Sequence, residues 1–123
     1  IDLLETIVPY TEYQNINLYV VPFTDIQKAI YDFTKEDYCI TIMRRMMYRI
    51  SEKLARKIGA LAIINGENIG QVASQTLESI DTIESVVKIP IIRPLAIFDK
   101  QDIINIATKI KTYDISILPY KED

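Results

Sequence analysis

Apolar positions along the 123-residue chain alternate between helical and strand-like spacing. In residues 1–14, Leu3, Leu4, Ile7 and Val8 recur at helical spacing around Pro9, which predicts a short, broken helix before a turn at Asn15–Asn17. Leu18–Phe23 is a compact apolar run rich in β-formers and predicts a buried strand. Thr24 and Gln27 have capping-box spacing, and Ile26, Ala29, Ile30 and Phe33 continue at i, i+3, i+4 and i+7, predicting a helix. Thr34 with Asp37 repeats the capping signature. Met43, Met47, Ile50, Leu54 and Ile58 then form one inward stripe ending at Gly59, the longest predicted helix.

The second half keeps the same alternation. Ala60–Ile64 is continuous and apolar, closed by Asn65 and Gly66, and predicts a strand buried on both faces. Ile69, Val72, Ala73, Thr76, Leu77 and Ile80 predict another helix, followed by a polar, turn-like Ser79–Ser85. Ile89–Leu95, interrupted by Pro90 and Pro94, predicts an edge strand or a short pairing stretch. Asp99 is placed to cap a helix with Ile103, Ile106, Ala107 and Ile110 inward. This order favours α/β layers built on a parallel sheet with right-handed crossovers. No repeat, low-complexity tract or linker divides residues 1–123, which read as a single domain.

Composition removes many chemistries. With 14 Lys and Arg against 17 Asp and Glu, the net charge is -3, so any basic surface must be local. At 49% hydrophobic and 25% charged residues the balance is globular. No apolar run is long enough to span a membrane and no basic-then-apolar leader opens the sequence, so a cytoplasmic protein without membrane partners is expected. The absence of histidine removes Ser-His-Asp and Cys-His catalysis and every His-containing zinc site. The lone Cys39 forms no internal disulfide or cysteine cluster and reads as a small buried hydrophobe, so no metal site is expected. Gly59, Gly66 and Gly70 match neither the dinucleotide fingerprint nor Walker A.

In a parallel sheet, ligands gather beyond the carboxyl ends of strands. The stretch Asn65-Gly66-Glu67-Asn68-Ile69-Gly70-Gln71 sits there, and Gly66 either satisfies a turn or lets backbone approach a nucleotide. Gln75 is a solvated helix position or an amide that pairs with a base edge. Lys100 follows the cap Asp99, a mildly unfavourable place for a cation unless it meets phosphate charge. Arg45, Arg49, Lys53 and Lys57 recur every four residues, as a solvated helix face or as a track for a phosphate backbone. Arg44 stands apart from them, near the Met43 and Met47 face, and could point toward a bound anion.

With these segments in place, the chain resembles the catalytic domain of the ThiI-type tRNA 4-thiouridine synthetases, or tRNA sulfurtransferases. The resemblance is carried by VPFTDIQ at 21–27, TIMRRMMYRI at 41–50, NGENIGQVASQTLESI at 65–80, RPLAIFDK at 93–100 and TYDISILPYKED at 112–123. It implies a partial three-layer parallel sheet of the PP-loop ATP pyrophosphatase type, lacking its first strands. It also implies an activity: a uridine at the eighth position of tRNA is adenylated with release of pyrophosphate, and persulfide sulfur from a cysteine desulfurase displaces AMP. The same sulfur can serve the thiazole of thiamine. By position, Arg44, Gly66 and Gln75 match the family's ATP-contacting residues, and Lys100 matches a lysine important for activation.

The Ser-Gly-Gly-x-Asp-Ser phosphate loop that would hold ATP with Mg2+ is not in this sequence. Nor are the THUMP and ferredoxin-like regions, or the catalytic cysteine that the resemblance places just after Asp123. The family's usual strand order, 3-2-1-4-5, makes the three predicted strands the third, fourth and fifth. Unpaired edges are therefore expected, to be covered by rearrangement, by a partner or by a second copy in a homodimer. The chain alone is expected to be inactive. Two rival readings are a noncatalytic RNA-binding or assembly module using the basic helix at 37–58, and another adenylating enzyme with a different acceptor; GENIGQVASQTLES argues against the second.

Overall fold

The computed structural model describes residues 1–12, 15–70 and 75–119, which fall into two compact units, Ile1–Val20 with Phe98–Asp123, and Val21–Ile97. In the first unit, helix α1 (Asp2–Ile7) passes into a 3₁₀ turn at Val8–Tyr10, because Pro9 removes a donor from the helical ladder. Helices α5 (Lys100–Lys109) and α6 (Tyr113–Ser116) belong to the same unit, and α6 contacts both α1 and α5. Asp99 caps α5 as predicted, its carboxylate accepting from the Asp102 N–H at 2.8 Å.

The second unit is organised by a 23-residue helix. Helix α2 (Thr24–Phe33) and helix α3 (Glu36–Ile58) pack together, and α3 also contacts strand β1 (Ile63–Ile64) and helix α4 (Leu77–Glu84). Acids Glu36 and Asp37 open α3 and bases Arg56 and Lys57 close it, matching the helix dipole at both ends. Gly59 ends it at φ 76°, and the Ala60 N–H reaches back to the Ala55 carbonyl at 2.8 Å in a Schellman-type closure. Strand β1 pairs in parallel with strand β2 (Ile91–Ile92), with Ile63 opposite Ile91 and Ile64 opposite Ile92. The adjacency of the two strands fits their expected places as fourth and fifth in the family order.

Several sequence expectations are corrected. Leu18–Phe23 is not a strand; no described strand runs beside it to supply a ladder, and Leu18, Tyr19, Val20 and Val21 stand exposed. Strand β1 is not buried on both faces, since Ile64 is 68% exposed and Ile92, its partner, is exposed as well. The residues 79–85 are largely helical, because α4 starts only at Thr76, whose hydroxyl accepts from the Ser79 N–H at 3.2 Å. Its expected earlier turn, Val72 and Ala73, lies outside the described residues. Neither Thr24 nor Thr34 caps a helix: the N-caps are Phe23 and Lys35, one residue off the threonine in each case, so neither hydroxyl reaches a free N–H.

The inward face of α3 is also rotated from the predicted stripe. Cys39, Tyr48 and Ala55 are buried, whereas Met47 and Ile58 are exposed. Cys39 is a core residue as expected, its thiol directed at the Lys35 carbonyl at 3.5 Å.

Glu52 ties α3 to the segment entering β2. Its Oε1 accepts from the backbone N–H groups of Lys88 and Ile89 at 3.1 and 3.2 Å and from Arg56 at 2.6 Å. The Arg56 hydrogen bond first, and the two backbone donors with it, hold the Glu52 carboxyl below its ordinary value of 4.5. A group whose pKa is depressed on folding stabilises the fold above its unfolded pKa and loses that contribution as pH falls through the folded one. Urea unfolding from about pH 6 down to about pH 3 should therefore show a steeper loss of midpoint in the parent chain than in Glu52→Gln. Equal slopes would contradict this role.

Candidate functional site

The parallel pair β1–β2 ends in two loops that run together, and the site is built where they meet α3. Asn68 is buried and donates to the Leu95 carbonyl at 2.9 Å, while the Ile69 N–H donates to the Ala96 carbonyl at 3.0 Å. A tight turn across Arg93–Ala96, with Pro94 in its second place, shapes the loop after β2. Asn65 folds the other loop on itself: its Oδ1 accepts from the Glu67 N–H at 3.1 Å, bridging across Gly66.

At the centre is the carboxylate of Glu67, whose side chain is only 12% exposed. Its Oε2 accepts from the Tyr48 hydroxyl, Asn65 Nδ2 and Arg93 Nε, each at 2.9 Å, and its Oε1 is paired with Arg44. Tyr48 Oη in turn accepts from Asn65 Nδ2 at 2.5 Å. Arg93 carries the network on to α4 through Glu84 Oε2 at 2.7 Å. Two guanidinium groups thus face two carboxylates, so the cluster is internally balanced and four elements are fastened at one point. Burial pushes the Arg44 pKa down and the nearby Arg93 charge adds to that, against an opposing influence of Tyr48; a guanidinium so far above neutrality keeps its proton.

Beside this cluster lies a groove of about 300 Å³ lined by Arg44, Met47, Tyr48, Ser51, Ile63, Ile64, Asn65 and Glu67. Its lining combines Met47, Ile63 and Ile64 with Arg44, Tyr48, Asn65 and Glu67, a mixture that suits a flat, partly polar ligand.

Comparison with known proteins decides the family. A family model described as thiamine biosynthesis protein (ThiI) matches residues 2–123. The chain belongs to the ThiI family. Probable tRNA sulfurtransferases of Acholeplasma laidlawii (strain PG-8A) and Brevibacillus brevis are 53% and 58% identical over 122 and 107 residues, covering 99% and 87% of this chain. The chain spans 30% and 27% of the length of those two relatives. A solved 4-thiouridine synthetase–RNA complex with bound ATP aligns at TM-score 0.93 and 44% identity, over 97% of this chain and 31% of the solved one. That fit establishes the fold as part of a PP-loop ATP pyrophosphatase domain. No described helix of this ThiI-family chain is long and apolar enough to cross a membrane.

The residues singled out in the sequence are distributed unevenly. Arg44 and Gly66 come together around Glu67, which pairs with the first and follows the second. Gly66 has no left-handed φ, and a Cβ built on it meets nothing within 4 Å, so the backbone turn does not require glycine there and its side of the loop is open. Gln75 accepts the Gly70 N–H on its backbone carbonyl at 2.9 Å, and its side-chain Oε1 is buried with no hydrogen-bond partner among the described residues. Lys100 is exposed at the start of α5 in the other unit.

Within the basic series, Arg45 donates to the Thr82 carbonyl and to Ser85 Oγ, the latter at 3.1 Å, while Arg49, Lys53 and Lys57 are exposed. Four residues overshoot a helical turn by about 40°, so the series winds around α3 and its first member meets α4.

Sequence reasoning missed Tyr48, Glu67 and Arg93 as a unit. The signal available was their charge and aromaticity inside the conspicuous segments at 41–50, 65–80 and 93–100; nothing in the spacing says that the three segments converge. Arg93→Ala removes one of the two guanidinium groups on Glu67 and the one that ties Glu84 to it, and should cost about 2 kcal/mol of stability in denaturant unfolding. Gly66→Ala should stay within about 0.5 kcal/mol of the parent. A larger loss at Gly66 than at Arg93 would contradict this assignment of roles.

Proposed function

We propose that this chain is the nucleotide-handling portion of an ATP-dependent tRNA sulfurtransferase, with Arg44, Gly66 and Gln75 contacting ATP and Lys100 acting in catalysis. The observation that carries the reading is the close structural likeness, at 44% identity, to a 4-thiouridine synthetase that holds both ATP and RNA. The local chemistry fits a purine nucleotide. A buried carbonyl oxygen at Gln75, without a partner among the described residues, suits the exocyclic amine of adenine, and the open side of Gly66 admits a ligand against the backbone. Because the Arg44, Arg93, Glu67 and Glu84 charges balance, this cluster orients the nucleotide rather than neutralising its phosphates.

In the proposed reaction the carbonyl oxygen of the eighth-position uridine attacks the α-phosphorus of ATP and pyrophosphate leaves. Mg2+, held by a phosphate loop outside residues 1–123, would offset the phosphate charge. The outer sulfur of a cysteine persulfide, charged by a cysteine desulfurase, then attacks the activated carbon and expels AMP, and a second thiol takes up the carrier sulfur as a disulfide to free the thiouridine; the same protein also supplies sulfur for thiamine thiazole synthesis. Lys100, exposed on the first turn of α5, supplies a cation for charge that develops on the leaving group. With no Ser-Gly-Gly-x-Asp-Ser run, residues 1–123 alone release no pyrophosphate. Association with a further copy in a homodimer is part of the same proposal.

A second reading, a noncatalytic RNA-binding module, is favoured by the exposed Arg49, Lys53 and Lys57 on α3. One assay separates the two. In the full-length enzyme, Lys100→Ala should lower 4-thiouridine formation by about 100-fold or more while ATP binding persists. Full activity in that variant, or salt-dependent tRNA binding with indifference to ATP in the parent, would favour the module.

A further inference from the structure

We propose that Glu67 is a positioning residue for the nucleotide, acting through Arg44 and the backbone at Gly66. The inference rests on the nucleotide site proposed above and assigns to it a residue outside its contact set. Glu67 holds Arg44 through Oε1 and gathers Tyr48, Asn65 and Arg93 on Oε2 at 2.9 Å each. Gly66 is therefore gripped on both sides. Asn65 is tied to Tyr48 at 2.5 Å and to Glu67 at 2.9 Å, and the Glu67 N–H returns to Asn65 Oδ1 at 3.1 Å.

The carboxylate spends its acceptor capacity on fixing neighbours and is nearly out of solvent, with a side chain 12% exposed. Its negative charge also compensates two half-buried cations, so Arg44 meets a ligand as an oriented donor instead of a loosely held charge. Glutamine at 67 would replace one acceptor oxygen with a donor NH2 inside a ring of donors and would leave two guanidinium groups facing one carboxylate, that of Glu84. The expected consequence is misplacement of Arg44 and of the loop at Gly66, with the chemical step and the tRNA surface untouched.

Steady-state kinetics of the full-length enzyme test this. Glu67→Gln should raise KM for ATP about tenfold, with kcat within about twofold and KM for tRNA unchanged. Combined with Arg44→Gln, its effect should be smaller than the product of the two single effects, because one residue acts through the other. A purely structural role would instead raise the KM values for ATP and tRNA together, with multiplicative effects in the double variant, and that outcome overturns the inference. If Glu67→Gln does not fold, Tyr48→Phe serves: it removes one donor to Glu67 and the acceptor of Asn65, and should raise the ATP KM about threefold at unchanged Tm. An unchanged ATP KM in Tyr48→Phe also overturns it. Gln75→Ala, measured in parallel, separates the two levels of the argument. If Gln75→Ala and Arg44→Gln raise the ATP KM and Glu67→Gln does not, the positioning inference alone falls. If neither moves it, the nucleotide site falls.

Discussion

A carboxylate placed among packed side chains must have its charge and its lone pairs answered, and the second unit of this chain is arranged around one such demand. Glu67 collects three donors on one oxygen and an arginine on the other. Those donors come from α3, from the loop after β1 and from the residue after β2. Among the described residues the sheet has two strands, each two residues long. The polar cluster adds directional links at the strand ends, where a parallel sheet presents its loops.

The same constraint explains why the site is both rigid and open. Loop 65–70 is stitched to the loop after β2 by Asn68 and Ile69, yet Gly66 projects into free space and Gln75 keeps a buried oxygen without a partner among the described residues. Satisfied groups hold the frame, and in the proposed reading the nucleotide completes the Gln75 oxygen. Glu52 plays a smaller part of the same kind, fastening α3 to the approach to β2.

Much of this architecture was legible in the sequence, because it depended on local rules. The break at Pro9, the end of α3 at Gly59 and the cap at Asp99 each follow from the stereochemistry of a single residue. The expectation of a strand at Leu18–Phe23 failed because composition reports the preference of a segment and not the presence of a neighbour to pair with. Similarly, the apolar stripe of α3 was misjudged: Tyr48 turns inward because its hydroxyl has partners on two loops, whereas Met47 lines an open groove. Of the site itself, the position of loop 65–70 and the place of Arg44 could be read, since both lie on recognisable segments. The convergence of Tyr48, Glu67 and Arg93 could not, because residues 19 and 26 positions apart are brought together only by tertiary packing. Arg45 shows the converse: it belongs to a regular basic series by spacing, and only the winding of the helix reveals its engagement with α4.

The most direct test of the account is a crystal structure of the full-length enzyme with a non-hydrolysable ATP analogue. The account predicts the purine nucleotide lying against Gly66, with Gln75 Oε1 accepting from the base and the Glu67 cluster unchanged behind Arg44. A nucleotide bound away from Gly66 and Gln75, with the Gln75 oxygen still unpaired, would contradict it.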